Sequence, residues 1–330
     1  MTAPRLGFLG VGWIGLHRMQ ALLDEGAGVV AALADPDPEA RQRALAVAPQ
    51  ARVVRDLDAM LSLDLDGVVV ATPSALHAEQ SIAALQAGVP VFCQKPLGRN
   101  AHEVQRVLAA AREADRRLGV DLSYRHTAAL RAVRELVRAG DLGQIHALDL
   151  TFHNAWGPDK AWFRDPALSG GGCVVDLGIH LVDAALWLLD HPEVVEVRSR
   201  LYHRGKLLPP EPAVIEDFAV SELALEGGCV VRLACSWNLP AGCEAVIGVS
   251  AWGTAGGAGL RNVDGSFYDF VAERWRGVRT ERLTEPPDAW GGRALVEWAR
   301  GVARDPGFHE DDCAGFLDVA HTLDRIYGRA

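Results

Sequence analysis

The sequence predicts an α/β protein in two parts. Residues 1–122 read as a doubly wound parallel sheet that binds a dinucleotide. Residues 123–330 read as an α/β substrate-binding and oligomerisation domain with a large, open, mostly antiparallel sheet. Three observations carry this reading. Short apolar runs without alternation take turns with helical patterns through the first third, as strands covered on both faces do. A Gly-x-Gly-x-x-Gly sequence follows the first of those runs. Beyond residue 122 the runs lengthen and alternate apolar with polar, as strands with one solvated face do.

Residues 5–10 read as the first strand and 14–25 as the first helix. A Val/Ala-rich strand at 28–34 precedes a helix at 38–48, which opens on Pro38, where a missing N–H is harmless. Residues 52–55 and 66–71 are strands. The helix at 74–87 ends at Gly88 as a C-cap glycine would end it. A strand at 90–93, a helix at 101–118 and a strand at 119–122 complete the first part. The second part opens with helices at 127–139 and 172–189. Strands follow at 144–153, 194–203, 215–225, 229–237, 245–252, 258–262 and 267–272. Helices at 289–303 and 311–326 close the chain.

Composition excludes several classes. The 330 residues carry 33 Lys+Arg against 43 Asp+Glu, a net charge of −10. That acidity argues against nucleic acid, because neutralising its phosphates needs a clustered basic face. With 49% hydrophobic and 23% charged residues, the composition is that of a soluble globular protein. No uncharged apolar run reaches the roughly 18 residues of a membrane span. The apolar stretch after Arg5 mimics a signal peptide, but its glycines have a better explanation below. Cys93, Cys173, Cys229, Cys235, Cys243 and Cys313 show no metal-ligand spacing. They read as free, mostly buried thiols in a reducing, cytoplasmic setting.

Gly10, Gly12 and Gly15 lie between a strand and a helix. The first permits a tight turn, the second lets backbone approach a pyrophosphate, and the third lets helix pack on strand. The anion would meet unpaired N–H groups at the positive end of the helix dipole. Asp35 follows Gly15 by 20 residues, the spacing of a ribose-binding carboxylate. The alternative is a cap for the helix beginning at Pro38. No arginine adjoins Asp35 in sequence, which favours NAD; Arg41 and Arg43 keep NADP as the lesser reading. Thr72-Pro73-Ser74 either lines the cofactor crevice or merely starts a helix with Ser74 as N-cap.

Gln94-Lys95-Pro96 stands at the carboxyl end of another strand. The chain has only three lysines, Lys95, Lys160 and Lys206, beside 30 arginines. A lysine kept against that bias points to a site needing a compact ammonium. Gly170-Gly171-Gly172 precedes an apolar helix on which Asp176 and His180 are i and i+4, with Asp183 close to the same face. A carboxylate beside an imidazole suits proton exchange near neutral pH. No further Cys or His has the spacing to make zinc ligands there.

Taken together, these segments resemble the Gfo/Idh/MocA family, the glucose–fructose oxidoreductases, inositol dehydrogenases and relatives, from Gly7 to about Tyr327. The marks are Gly10-Val11-Gly12-Trp13-Ile14-Gly15, Asp35, Ala71-Thr72-Pro73-Ser74-Ala75-Leu76-His77, Cys93-Gln94-Lys95-Pro96-Leu97 and the glycine run through Asp176 and His180. The resemblance implies a Rossmann domain binding NAD through Gly10, Gly12, Trp13, Ile14, Gly15, Asp35, Thr72, Pro73, His77, Gln94 and Lys95. It implies hydride transfer at a secondary alcohol of a sugar, cyclitol or polyol, with Lys95, Asp176 and His180 catalytic. Trp162 and Arg164 fall near the nicotinamide or substrate, and Arg125 and His126 in a pocket segment. A homodimer or homotetramer is implied through the open sheet. One departure stands out: the family's Glu-Lys-Pro is Gln94-Lys95-Pro96 here, so the ammonium loses a neighbouring carboxylate. A non-catalytic NAD sensor and an NAD-assisted glycoside hydrolase are the alternatives on the same scaffold.

Overall fold

The structure, a computed structural model, describes residues 3–210 and 212–329. The chain forms two units. One holds the residues up to Ser123 together with Gly291–Ala314; the other holds Tyr124–Trp290 and the residues from Gly315 on.

In the first unit β1 (Arg5–Leu9), β2 (Val29–Ala34), β3 (Arg52–Val53), β4 (Gly67–Val70), β5 (Val91–Cys93) and β6 (Leu118–Val120) form one sheet, ordered β3-β2-β1-β4-β5-β6. Every pairing is parallel. Helices α1 (Trp13–Asp24), α2 (Pro38–Val47), α3 (Leu57–Leu61), α4 (Ser74–Gln86) and α5 (Ala101–Ala114) connect the strands. The order reverses between β1 and β4, and at such a point ligands bind outside the carboxyl ends of the strands. Strands β4 and β5 are buried throughout, which explains their unbroken apolar runs. Two details differ from expectation. The five-residue α3, capped by the Asp56 carboxylate on the Ala59 N–H, is too short to show a period. The helix expected over 101–118 stops at Ala114, because Asp115 turns left-handed (φ 50°) and releases Leu118 to the sheet.

The segment Gly291–Ala314 corrects the expected division at residue 122, which placed it with the second part. Its helix Arg293–Arg304 buries Leu295, Val296, Trp298 and Val302 in one cluster with Leu6, Phe8, Val69 and Phe92. The Trp298 ring lies 5.6 Å from that of Phe92. It fills a notch where a Cβ on Gly67 or Gly119 would come within 2.6 Å of it. An amphipathic helix goes where its apolar stripe is covered, whatever its place in the chain. Trp298→Ala is therefore expected to destabilise the first unit by about 3–5 kcal/mol, measurable as a lowered urea midpoint; a change near zero contradicts the packing.

The second unit is built on a nine-stranded sheet ordered β15-β14-β13-β12-β7-β11-β10-β8-β9. Its strands are β7 (Ile145–Asn154), β8 (Val194–His203), β9 (Lys206–Leu207), β10 (Phe218–Leu225), β11 (Val230–Ser236), β12 (Ala245–Gly253), β13 (Gly256–Asn262), β14 (Phe270–Arg276) and β15 (Arg279–Thr284). Among the described residues only β7 and β11 run parallel; the other pairings are antiparallel. Along β10, Ala219, Ser221, Leu223 and Leu225 are buried while Val220 and Glu222 are exposed. That alternation is the period-2 signal in the sequence. β15 is polar and exposed, so burial gave it no such signal.

The helix expected over 172–189 begins as a π-helical turn, Val174–Gly178, and becomes α-helical over Ile179–Leu188. The span Pro166–Leu188 is long and apolar enough to cross a membrane, but it is mostly buried within the protein, as a core element is. The helix expected over 311–326 is cut by Gly315 (φ 80°) into a short 3-10 turn, Glu310–Cys313, and the helix Phe316–Ile326. All six cysteines are free thiols, and five are buried. Burial pushes the Cys93 and Cys313 thiols up to about 12. Among the described residues no His, Cys, Asp and Glu cluster is arranged to hold a metal.

Candidate active site

The parallel register of the first unit lines up one row at the strand ends. Ala34, Leu9, Val70, Cys93 and Val120 are successive partners across β2, β1, β4, β5 and β6. The next residues along each strand are Asp35, Gly10, Ala71, Gln94 and Asp121. Four of the sequence candidates or their neighbours thus stand on one rim.

Gly10 adopts φ +88°, and a Cβ there would lie 2.4 Å from the Ala71 carbonyl oxygen. A Cβ on Gly15 would lie 2.3 Å from the Gly10 carbonyl oxygen. Both glycines are demanded by the protein itself. Gly12 is not: a Cβ there meets nothing within 4 Å. Open space therefore lies in front of the α1 N-terminus, whose N–H groups have no side-chain cap. Trp13 is 71% exposed beside it. Uncapped N–H groups at the positive end of a 12-residue helix, with space before them, fit a dinucleotide pyrophosphate.

Asp35 accepts the Val11 N–H at 2.8 Å and the Asp37 N–H at 2.9 Å. It braces the glycine turn, and the cap of α2 is Asp37, which accepts from the Glu39 N–H. Arg41, one of the two residues that kept NADP open, stands beside Asp35 in space. The Arg41 guanidinium donates to the Asp35 and Pro36 carbonyls at 2.6 and 3.0 Å. The first turn of α2 folds it back there, six residues away in sequence.

Thr72 donates its hydroxyl to Gln80 at 2.6 Å. Pro73, not Ser74, is the residue before α4, and Ser74 is buried in its first turn. His77 is buried, with Nε2 2.6 Å from the Thr72 carbonyl and Nδ1 2.7 Å from that of Pro96. One ring ties the Thr72 loop to the Lys95–Pro96 turn, whose peptide bond is cis. Burial lowers the His77 pKa most, the carbonyl contacts oppose that, and the Lys95 ammonium adds to it. Lys95 is half-buried. Gln94 donates to Asp121 at 2.5 Å, and the Arg18 Nε donates to the same carboxylate oxygen at 2.6 Å. Arg18 and Asp121 escaped the sequence reading; the available signal was a carboxylate at the end of β6, in the row of Gln94.

In the second unit the glycine run is a close-approach site. A Cβ on Gly171 would lie 2.1 Å from the Tyr327 hydroxyl, and one on Gly172 1.9 Å from the Glu216 carbonyl oxygen. The buried Glu216 carboxylate accepts the Gly172 and Val174 N–H groups at 3.0 and 2.9 Å and the Tyr327 hydroxyl at 2.7 Å. Burial pushes its pKa up while those donors pull it down. Neither Glu216 nor Tyr327 was anticipated, since their partners lie 42 to 111 residues away.

Asp176 lies in the π turn and accepts the Trp237 indole N–H at 3.0 Å. A π turn inside a helix is frequent where function needs a side chain re-aimed. His180 is buried, 4.8 Å ring-to-ring from Tyr124 and 6.2 Å from Phe152. Asp183 does not join them: Arg125 Nε donates to its two oxygens at 2.9 and 3.0 Å. Arg125, expected in a pocket segment, pairs with this helix through Asp183, and His126 contacts Arg131. Trp162 stacks on Phe163 at 3.9 Å in the turn Ala161–Arg164, where Arg164 is exposed. A cavity of about 840 Å³, lined by Tyr202, Asp217, Phe218, Trp237 and Asn238 among others, opens beside the indole that holds Asp176.

Residues 5–122 match the family model described as the oxidoreductase family with an NAD-binding Rossmann fold, and 130–258 match the GFO/IDH/MocA C-terminal domain. A protein of Amycolatopsis mediterranei, provisionally named a UDP-kanosamine synthase oxidoreductase subunit, is 31% identical over 99% of this chain and 96% of its own. The chain belongs to the Gfo/Idh/MocA oxidoreductase family. Within the family, inositol 2-dehydrogenase of Mycolicibacterium smegmatis is 29% identical over 90% of this chain and 92% of its own. Among solved structures, GenD2 from gentamicin A biosynthesis, in complex with NAD, is 25% identical with a TM-score of 0.81, covering 100% of this chain and 95% of its own. KijD10, a 3-ketoreductase from Actinomadura kijaniata in complex with NADP, shares the fold at 22% identity and a TM-score of 0.83, covering 100% and 98%.

Proposed function

We propose that this Gfo/Idh/MocA protein oxidises a secondary alcohol, or reduces the corresponding ketone, on a sugar, cyclitol or related polyol. The observation that carries the reading is the rim of the parallel sheet, where Lys95 follows directly on the row that begins with Asp35 and the glycine turn. Gly10, Gly12, Trp13, Ile14, Gly15, Asp35, Thr72, Pro73, His77 and Gln94 would hold the dinucleotide. When bound, it supplies or accepts the hydride. We favour NAD: the Asp35 carboxylate repels a 2′-phosphate, and Arg41 is held on backbone carbonyls.

In the oxidation, the His180 imidazole takes the proton of the reacting hydroxyl. Asp176, fixed by Trp237, orients that exchange or binds a neighbouring hydroxyl. Lys95 stabilises the negative charge that develops on the substrate oxygen. Trp162 and Arg164, on the turn Ala161–Arg164, would lie near the nicotinamide or substrate. The exposed Val220, Val246 and Trp252 on the sheet of the second unit support self-association into a dimer or tetramer. Free thiols support a reducing, cytoplasmic setting.

The test is a panel of sugars, inositols and sugar acids, scored by absorbance of the reduced cofactor with NAD⁺ and with NADP⁺. Reduction of NAD⁺ by at least one polyol is expected. Dinucleotide binding without turnover would leave a sensor, and net hydrolysis without reduced cofactor would leave a glycoside hydrolase; either overturns the proposal.

A further inference from the structure

The Gln94 departure has a partner in space. The Arg18–Asp121 pair is almost wholly buried, with side chains 7% and 0% exposed. Asp121 binds the arginine and Gln94 through the same oxygen, Oδ2. This contact fixes the orientation of the Gln94 amide, since its oxygen could not sit 2.5 Å from a carboxylate oxygen. A glutamate at 94 would set two carboxylates against each other there, and one would have to take up a proton. Gln94 and Asp121 therefore specify one another: one amide and one carboxylate, balanced by one guanidinium.

We propose that Asp121 is a positioning residue for Lys95. From its place just past β6 it holds, by its carboxylate, the side chain of the residue directly before the lysine. Gln94 is gripped on two sides, by Asp121 through its side chain and by the Val70 carbonyl through its N–H at 2.8 Å. The chain leaves this grip directly into Lys95. Arg18 belongs to α1, the helix that opens at the glycine turn. One buried ion pair thus joins the pyrophosphate-binding helix to the lysine segment. The inference rests on the role proposed above for Lys95, and its test separates the two.

With only three lysines, protein labelled with ¹³C at lysine Cε gives three resonances, and Lys95→Met assigns that of Lys95. The variants are Gln94→Met, Gln94→Glu, Asp121→Asn and the exchange Gln94→Glu with Asp121→Asn. Gln94→Met removes the donor yet keeps the buried ion pair, so it decides the matter even where Asp121→Asn fails to fold. It is expected to move the Lys95 resonance alone, and to lower kcat about 10- to 100-fold with melting temperature near wild type. Gln94→Glu should shift the pH profile of kcat, and the exchange should bring resonance and kcat back toward wild type. A Lys95 resonance and kcat unmoved by Gln94→Met, or an exchange variant no better than Gln94→Glu, overturns the inference. If the wild type turns over no polyol, the proposed function fails while the Lys95 resonance still reads the positioning.

Discussion

Lys95→Met and His180→Ala are each expected to lower kcat by about 10²–10⁴-fold, with NAD⁺ binding retained on titration. The ammonium matters because charge develops on the substrate oxygen in the transition state, and a thioether of similar length offers none. Lys95→Arg should not rescue, since a planar, delocalised guanidinium cannot replace a compact point charge. The imidazole matters because the hydroxyl proton must leave as the carbon–hydrogen bond breaks. Their effects should not multiply in the double variant, because groups serving one transition state are lost together. Near-wild-type turnover in both single variants, with cofactor bound, would remove the assignment.

What the sequence disclosed and what it hid divide along physical lines. Gly10 and Gly15 were legible because backbone sterics leave glycine no substitute at 2.4 and 2.3 Å from neighbouring carbonyls. β1, β4 and β5 were legible because burial on both faces leaves an apolar run. Contacts between distant residues leave no such trace. Arg18 and Asp121 are 103 residues apart, and Glu216 reaches Tyr327 across 111. Each alone reads as an ordinary polar residue. The helix Arg293–Arg304 was legible as a helix but not as part of the first unit, since its pattern says that one face is buried and not against what. The Asp176–His180 spacing suggested one regular helical face. The π turn modifies that face, and the Arg125 pairing removes Asp183 from it.

The same substitution at two glycines should give opposite results. At Gly172 a Cβ would lie 1.9 Å from the Glu216 carbonyl oxygen, 2.9 Å from its carboxylate carbon and 3.0 Å from its backbone carbon. None of these can yield cheaply. The Glu216 carbonyl accepts the Cys173 N–H, and its carboxylate is held by Gly172, Val174 and Tyr327. Gly172→Ala must therefore displace either the buried glutamate or the start of the helix that carries Asp176 and His180. A loss of about 2–3 kcal/mol is expected, read from denaturant unfolding, with a fall in kcat because the displaced helix carries Asp176 and His180, the residues proposed to act on substrate. At Gly12 the new methyl meets open space, and the backbone already has a φ of −61° that alanine accepts. Gly12→Ala should leave stability within about 0.5 kcal/mol of wild type while weakening dinucleotide binding, because the methyl occupies the ground before the α1 N-terminus. If Gly172→Ala is as stable as wild type, the glycine run is not the tight joint described. If Gly12→Ala binds NAD⁺ unchanged, the open space at the helix terminus is not where the pyrophosphate lies.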